Sequence, residues 1–73
     1  MMIGQRAAKA IKERAWANDT NFKDECSFVD CSDAQFRAWA RGKVNPCARV
    51  LAEMYKQGYD IPYILTGERK DNG

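Results

Sequence analysis

The chain contains no histidine, and its three cysteines are an odd set. The missing imidazole removes the commonest general base and the commonest metal ligand. No phosphate-cradling glycine loop and no paired carboxylates in a plausible cleft are evident, so the sequence predicts no enzyme. The odd cysteine count argues against a disulfide scaffold, and thiols in a cytosolic chain stay reduced. Three thiolates would need a fourth ligand such as Asp30 to hold zinc, and their spacing is not that of a zinc finger. Neither metal nor cofactor is expected. Cys26, Cys31 and Cys47 each fall where a small apolar residue is wanted, and a buried free cysteine behaves as one. No apolar run approaches the roughly 20 residues of a membrane span. The first fifteen residues lack the apolar centre of a secretory signal, so the sequence predicts a cytoplasmic chain with no membrane association. There is no internal repeat and no alternating strand pattern.

What is present is enough for one small domain. Of 73 residues, 45% are hydrophobic, which excludes wholesale disorder. A chain of this size buries only about 60% of its unfolded surface, so its stability is modest. The net charge of +2 is uninformative by itself, but its distribution is not. Residues 19–33 are strongly acidic, with Asp19, Asp24, Glu25, Asp30 and Asp33 against Lys23 alone. Residues 34–49 carry Arg37, Arg41, Lys43 and Arg49 and no acid. Such a block suits a phosphate-facing edge.

The spacing of apolar residues predicts five short helices. Ile3, Ala7, Ala10, Ile11 and Ala15 form a stripe over residues 3–16. The turn-rich stretch Asn18-Asp19-Thr20-Asn21 supplies an N-cap for a second helix over 22–28. Ser32 caps a third, over about 32–41, whose apolar stripe is Phe36, Trp39 and Ala40 and whose other face carries Arg37 and Arg41. Gly42 ends it. Asn45-Pro46 opens a fourth helix with Cys47, Val50, Leu51, Met54 and Tyr55 on one face, closed by Gly58. Asp60 caps a fifth, with Pro62 in its first turn and Ile61, Ile64 and Leu65 docking on the core. Trp39 belongs to the core; Trp16 either packs under the first helix or extends outward.

The run Trp39-x-x-Gly42-Lys43-x-x-Pro46, followed by Gly58-Tyr59-Asp60-Ile61-Pro62-Tyr63-Ile64-Leu65-Thr66-Gly67, resembles the lambda-repressor-like (XRE) helix-turn-helix family. It is closest in pattern to the N-terminal domains of phage and prophage repressors. The resemblance is strong from Ser32 to Gly67 and in Ile3-Gly4-Gln5-Arg6, and weak between Arg14 and Asp30. It implies an all-α, five-helix helix-turn-helix domain over residues 1–67 with a polar tail at 68–73. It further implies a sequence-specific transcriptional regulator of repressor type that binds operator DNA as a homodimer through the third helix. Carried over residue by residue, Ser32, Asp33, Ala34, Arg37 and Ala38 would face the major groove. Arg41, Lys43, Asn45, Asn21 and Phe22 would lie at phosphates. Arg37 either reads a guanine or meets a phosphate. Asp33 either serves the helix N-terminus or accepts from a cytosine.

Four positions depart from the family pattern, and the stretch between the first two helices looks about four residues longer than usual; Glu25 stands where leucine is common. Ala40 stands where a glutamate usually pairs with the arginine at the place of Arg6. Phe22 replaces a glutamine that often orders a phosphate contact. Asp30 replaces a glycine in the tight turn, so an aspartate is expected there in the left-handed conformation. Two other readings stay open: an antitoxin-like regulator that also binds a protein partner, and a helix-turn-helix fold used only for protein interaction.

Overall fold

A computed structural model describes residues 2–68. Of the polar tail only Glu68 is therefore described; the rest lies outside these residues. The described chain forms five α-helices and no strand: α1 (Ile3–Ala17), α2 (Phe22–Phe28), α3 (Asp33–Ala40), α4 (Ala48–Lys56) and α5 (Ile61–Thr66).

The first four helices end by one local device. The N–H five residues on closes back to a last-turn carbonyl: Thr20 to Ala15 at 2.8 Å, and Cys31 to Cys26, Lys43 to Ala38 and Tyr59 to Met54, each at 3.0 Å. This closure needs one residue with positive φ. Glycine supplies it after α3 and α4, at Gly42 and Gly58. Aspartate supplies it after α1 and α2, at Asp19 (φ 55°) and Asp30 (φ 60°). The left-handed aspartate expected at position 30 is present; Asp19 uses the same conformation without having been anticipated.

Helix starts follow side-chain caps. Asn21 Oδ1 accepts from the Asp24 N–H at 3.0 Å, and Asp60 Oδ1 accepts from the Tyr63 N–H at 3.2 Å. At α3 the cap is reciprocal. Ser32 Oγ accepts from the Gln35 N–H at 3.1 Å, and Gln35 Oε1 accepts from the Ser32 N–H at 2.9 Å. That arrangement satisfies two donors that would otherwise be orphaned.

Helix α1 is the hub, packing against α2, α3 and α5. Ala7, Ala8, Ile11 and Ala15 present its buried face to Cys26, Val29, Phe36, Trp39, Val50, Met54 and Ile64. Phe22 stacks on Phe36 with ring centroids 4.7 Å apart, closing the core beneath α2. Gly4 is buried where α1 meets the stretch after α3. A Cβ there would stand 2.4 Å from the Val44 carbonyl oxygen.

Several stripe assignments need correction. Ala40, Cys47, Tyr55 and Leu65 are exposed, Tyr55 at 71%. Each sits at the margin of a short apolar arc, in a helix whose centre alone faces the core. Trp16 extends outward and is exposed. Helix α4 begins at Ala48 rather than at Asn45-Pro46, with Cys47 in the cap position. The reason is tertiary: Asn45 Oδ1 accepts from the Gly4 N–H at 3.1 Å instead of capping the helix.

Candidate nucleic-acid interface

Helix α3 has two unlike faces. Phe36 and Trp39 point inward, Trp39 only 2% exposed. Ser32, Ala34, Arg37 and Arg41 are exposed, and Asp33 and Ala38 are half-buried beside them. The turn after Gly42 continues the surface with Lys43, Val44 and Asn45, all exposed. The sequence-derived candidates on α3 and on this turn thus form one continuous stretch, held from behind by Trp39 and by the Gly4–Asn45 bond.

Four candidates are engaged, wholly or in part, by other residues. The Phe22 ring is taken up by its stack on Phe36 and serves packing. The Asn21 and Ser32 side-chain oxygens are occupied as caps. Asn45 spends its carbonyl oxygen on Gly4, which leaves its amide nitrogen to donate elsewhere.

The electrostatics differ from those of a plain basic patch. Arg37 Nη2 lies 3.1 Å from Asp33 Oδ2, one turn earlier on the same helix. Arg49 Nη1 lies 3.3 Å from Asp30 Oδ2, which ties the start of α4 to the turn between α2 and α3. The acidic segment thus neutralises two of the four cations that follow it. Arg41 and Lys43 have no ion pair among the described residues. Both pairs are largely exposed, so each is worth at most about 1 kcal/mol and opens readily. Asp33 Oδ1 is buried without a hydrogen-bond partner. That oxygen carries a desolvation cost, and the contact that favours the carboxylate is the one its other oxygen makes with Arg37.

Behind α2 lies a second polar group, centred on Glu25 and Tyr59, that the sequence-derived site residues did not include. Glu25 is 3% exposed and accepts from Thr20 Oγ1 at 2.9 Å. The Tyr59 hydroxyl is buried without a hydrogen-bond partner. Burial pushes the Tyr59 phenol up to about 12; the Arg14 guanidinium pulls it down and the Glu25 carboxylate adds to the rise. Arg14 stacks over the Tyr59 ring at 3.9 Å and donates to the Gln57 carbonyl. These residues join α1, α2 and the α4–α5 turn, so their role is structural. Arg6 acts likewise at the far side. Its guanidinium reaches the end of α5, Nε donating to Ile64 O at 2.8 Å and Nη2 to Leu65 O at 3.2 Å. A cation on those last carbonyls also opposes the negative end of the helix dipole.

Among the described residues no three acidic or thiol side chains could together hold a metal ion, and no pocket is formed. The candidate site is a surface. Sequence reasoning missed Gln35, although Ser-x-x-Gln before an apolar helix is the reciprocal-cap signature. It also left Arg49 out of the interface residues, although Arg49 belonged to the basic block. The chain matches no family model, no curated protein and no solved structure.

Proposed function

We propose that this protein is a helix-turn-helix regulator that binds double-stranded DNA in a sequence-specific manner, α2 and α3 being the paired helices and α3 the one that enters the major groove. The observation that carries the reading is the two-faced α3, anchored by Phe36 and Trp39 and presenting Arg37 and Arg41 outward next to Lys43. Ser32, Ala34, Arg37 and Ala38 are the groove-facing residues, and Arg41, Lys43 and Asn45 meet phosphates. One short helix reads few base pairs, so two copies bind a pseudo-symmetric operator. Occupying such an operator excludes other proteins from it, which is repressor activity.

A second reading has one observation in its favour. The Asp33–Arg37 and Asp30–Arg49 pairs halve the free positive charge of this surface, as suits a domain whose partner is a protein. Salt dependence separates the two. Raising salt from about 50 to 200 mM should weaken duplex binding about 12-fold per domain if Arg41 and Lys43 alone neutralise phosphates. If DNA also opens both ion pairs and recruits Arg37 and Arg49, the loss should be about 150-fold. Lys43→Ala should make the slope shallower by about one unit. Absence of duplex binding at the lower salt would refute the DNA reading and leave protein interaction.

A further inference from the structure

Cys26 and Cys31 flank the turn that closes α2. The Cys31 N–H donates to the Cys26 carbonyl at 3.0 Å, folding the chain back around the left-handed Asp30. This closure brings the two α-carbons together, as a disulfide between them would require. Both thiols are free and point into the same core cluster, Cys26 at 2% exposure and Cys31 at 9%, beside Val29 and Phe36. Hydrogen bonding from Cys31 lowers the thiol pKa of Cys26 against the burial that opposes it, and the same contact raises that of Cys31. Cys47 stands apart on the surface at the start of α4.

We propose that Cys26 and Cys31 form a reversible dithiol–disulfide couple whose oxidant is hydrogen peroxide. Their burial selects the oxidant: a small neutral molecule reaches these sulfurs during brief openings of the turn, whereas a bulky disulfide does not. The Cys26 thiolate attacks one peroxide oxygen and the O–O bond breaks. This gives a sulfenic acid at Cys26 and a hydroxide that leaves as water with the Cys26 proton. The Cys31 sulfur then attacks the Cys26 sulfur, the S–S bond forms, and the departing hydroxide takes the Cys31 proton as a second water. Two thiols lose two electrons and two protons, and one peroxide becomes two waters. A dithiol reductant reverses the change. The bond would close the turn between α2 and α3 covalently, so the geometry of that turn would depend on peroxide.

The test uses the whole chain carrying Cys47→Ser, which removes the surface thiol and installs a favoured helix cap. Trypsin cuts after Lys23 and Arg37 and leaves both cysteines on one peptide, residues 24–37. After peroxide treatment of the folded protein and alkylation under denaturing conditions, this peptide should be two hydrogens lighter and unalkylated. The titratable thiols should fall from two to none, and dithiothreitol should restore both. With Cys31→Ser added, a sulfenic acid should be trapped at Cys26 by a dicarbonyl probe. Two thiols still alkylatable after peroxide would overturn the proposal. So would a dithiothreitol equilibrium that favours the disulfide no more in the folded chain than in urea, since the pairing would then owe nothing to this turn.

Discussion

Helix propensity and tertiary structure make opposite predictions for Gly4→Ala, and the structure decides between them. In an exposed helix, replacing glycine by alanine gains up to about 1 kcal/mol. Here the new Cβ would lie 2.4 Å from the Val44 carbonyl oxygen, 3.1 Å from Trp39 Cα and 3.2 Å from Trp39 Cβ. None of these is the free end of a flexible side chain. A relaxed carbon–oxygen contact is about 3.3 Å, so the Val44 carbonyl must retreat by about 0.9 Å. Overpacking of this kind costs about 1–3 kcal/mol. The retreat also strains the Gly4 N–H bond to Asn45, whose loss is worth a further ~0.5–1.5 kcal/mol. After the propensity gain is subtracted, the variant should be destabilised by about 1–3 kcal/mol. Each kcal/mol shifts Tm by about 4–8 °C in a domain of this size, so the fall in Tm should be on the order of 10 °C. Thermal and urea unfolding followed by circular dichroism measure it. A Gly4→Ala protein as stable as the parent would refute the close approach of α1 to the 42–45 turn.

Trp39→Ala should cost about 3–5 kcal/mol by opening a cavity behind α3, enough to unfold much of a small domain; a variant with native circular dichroism and an unchanged melt would contradict the core role. Arg37→Ala should weaken specific DNA binding by about 1–3 kcal/mol and relax preference at one base pair, whereas an equal loss on all sequences would make Arg37 a phosphate contact. Asp33→Asn releases Arg37 and removes a carboxylate from the surface, so non-specific affinity at low salt should rise; an unchanged or weaker titration would count against the ion pair as a brake. The neutral Tyr59 phenol is favoured in the fold, its pKa raised from 10.0 to about 12, so its contribution is intact below pH 10 and is lost as pH climbs towards 12. Tyr59→Phe should therefore lose less stability over that alkaline range, and superimposable alkaline profiles would show that the hydroxyl does not titrate in the core.

The features legible in the sequence were those set by neighbours in the chain. The bounds of α2 and the caps at Asn21, Ser32 and Asp60 follow from local hydrogen bonding within three or four residues. The strained turn at Asp30 follows from the need to reverse the chain without glycine. The two faces of α3 follow from periodicity. What escaped is carried by distant pairs. The start of α4 was misplaced because Asn45 is recruited by Gly4, 41 residues earlier. The role of Arg6 lies 58 residues away, at Ile64. Glu25 stands where the resembled family commonly has leucine, but that Thr20 and Tyr59 surround it there is not legible from neighbours in the chain. The charge blocks were visible, but not that Asp30 reaches across to Arg49 and neutralises part of the surface that had marked residues 34–49. Periodicity also overfilled the core, because a stripe does not say how far along a short helix the neighbouring helices extend.

The position of α1 bears on how the chain assembles. It precedes the other four helices in sequence, yet the bonds that hold it reach Asn45, Gln57, Ile64 and Leu65. The Ile11 face meets its first partners in α2 but gains Phe36 and Trp39 only with α3, and Arg6 waits for α5. Contacts so far apart in sequence must close their loops before they contribute, which slows folding relative to a bundle of neighbouring helices. The α2–α3 unit closes locally and has no such wait. The capture of α1 by α5 therefore closes a far longer loop than the turn between α2 and α3.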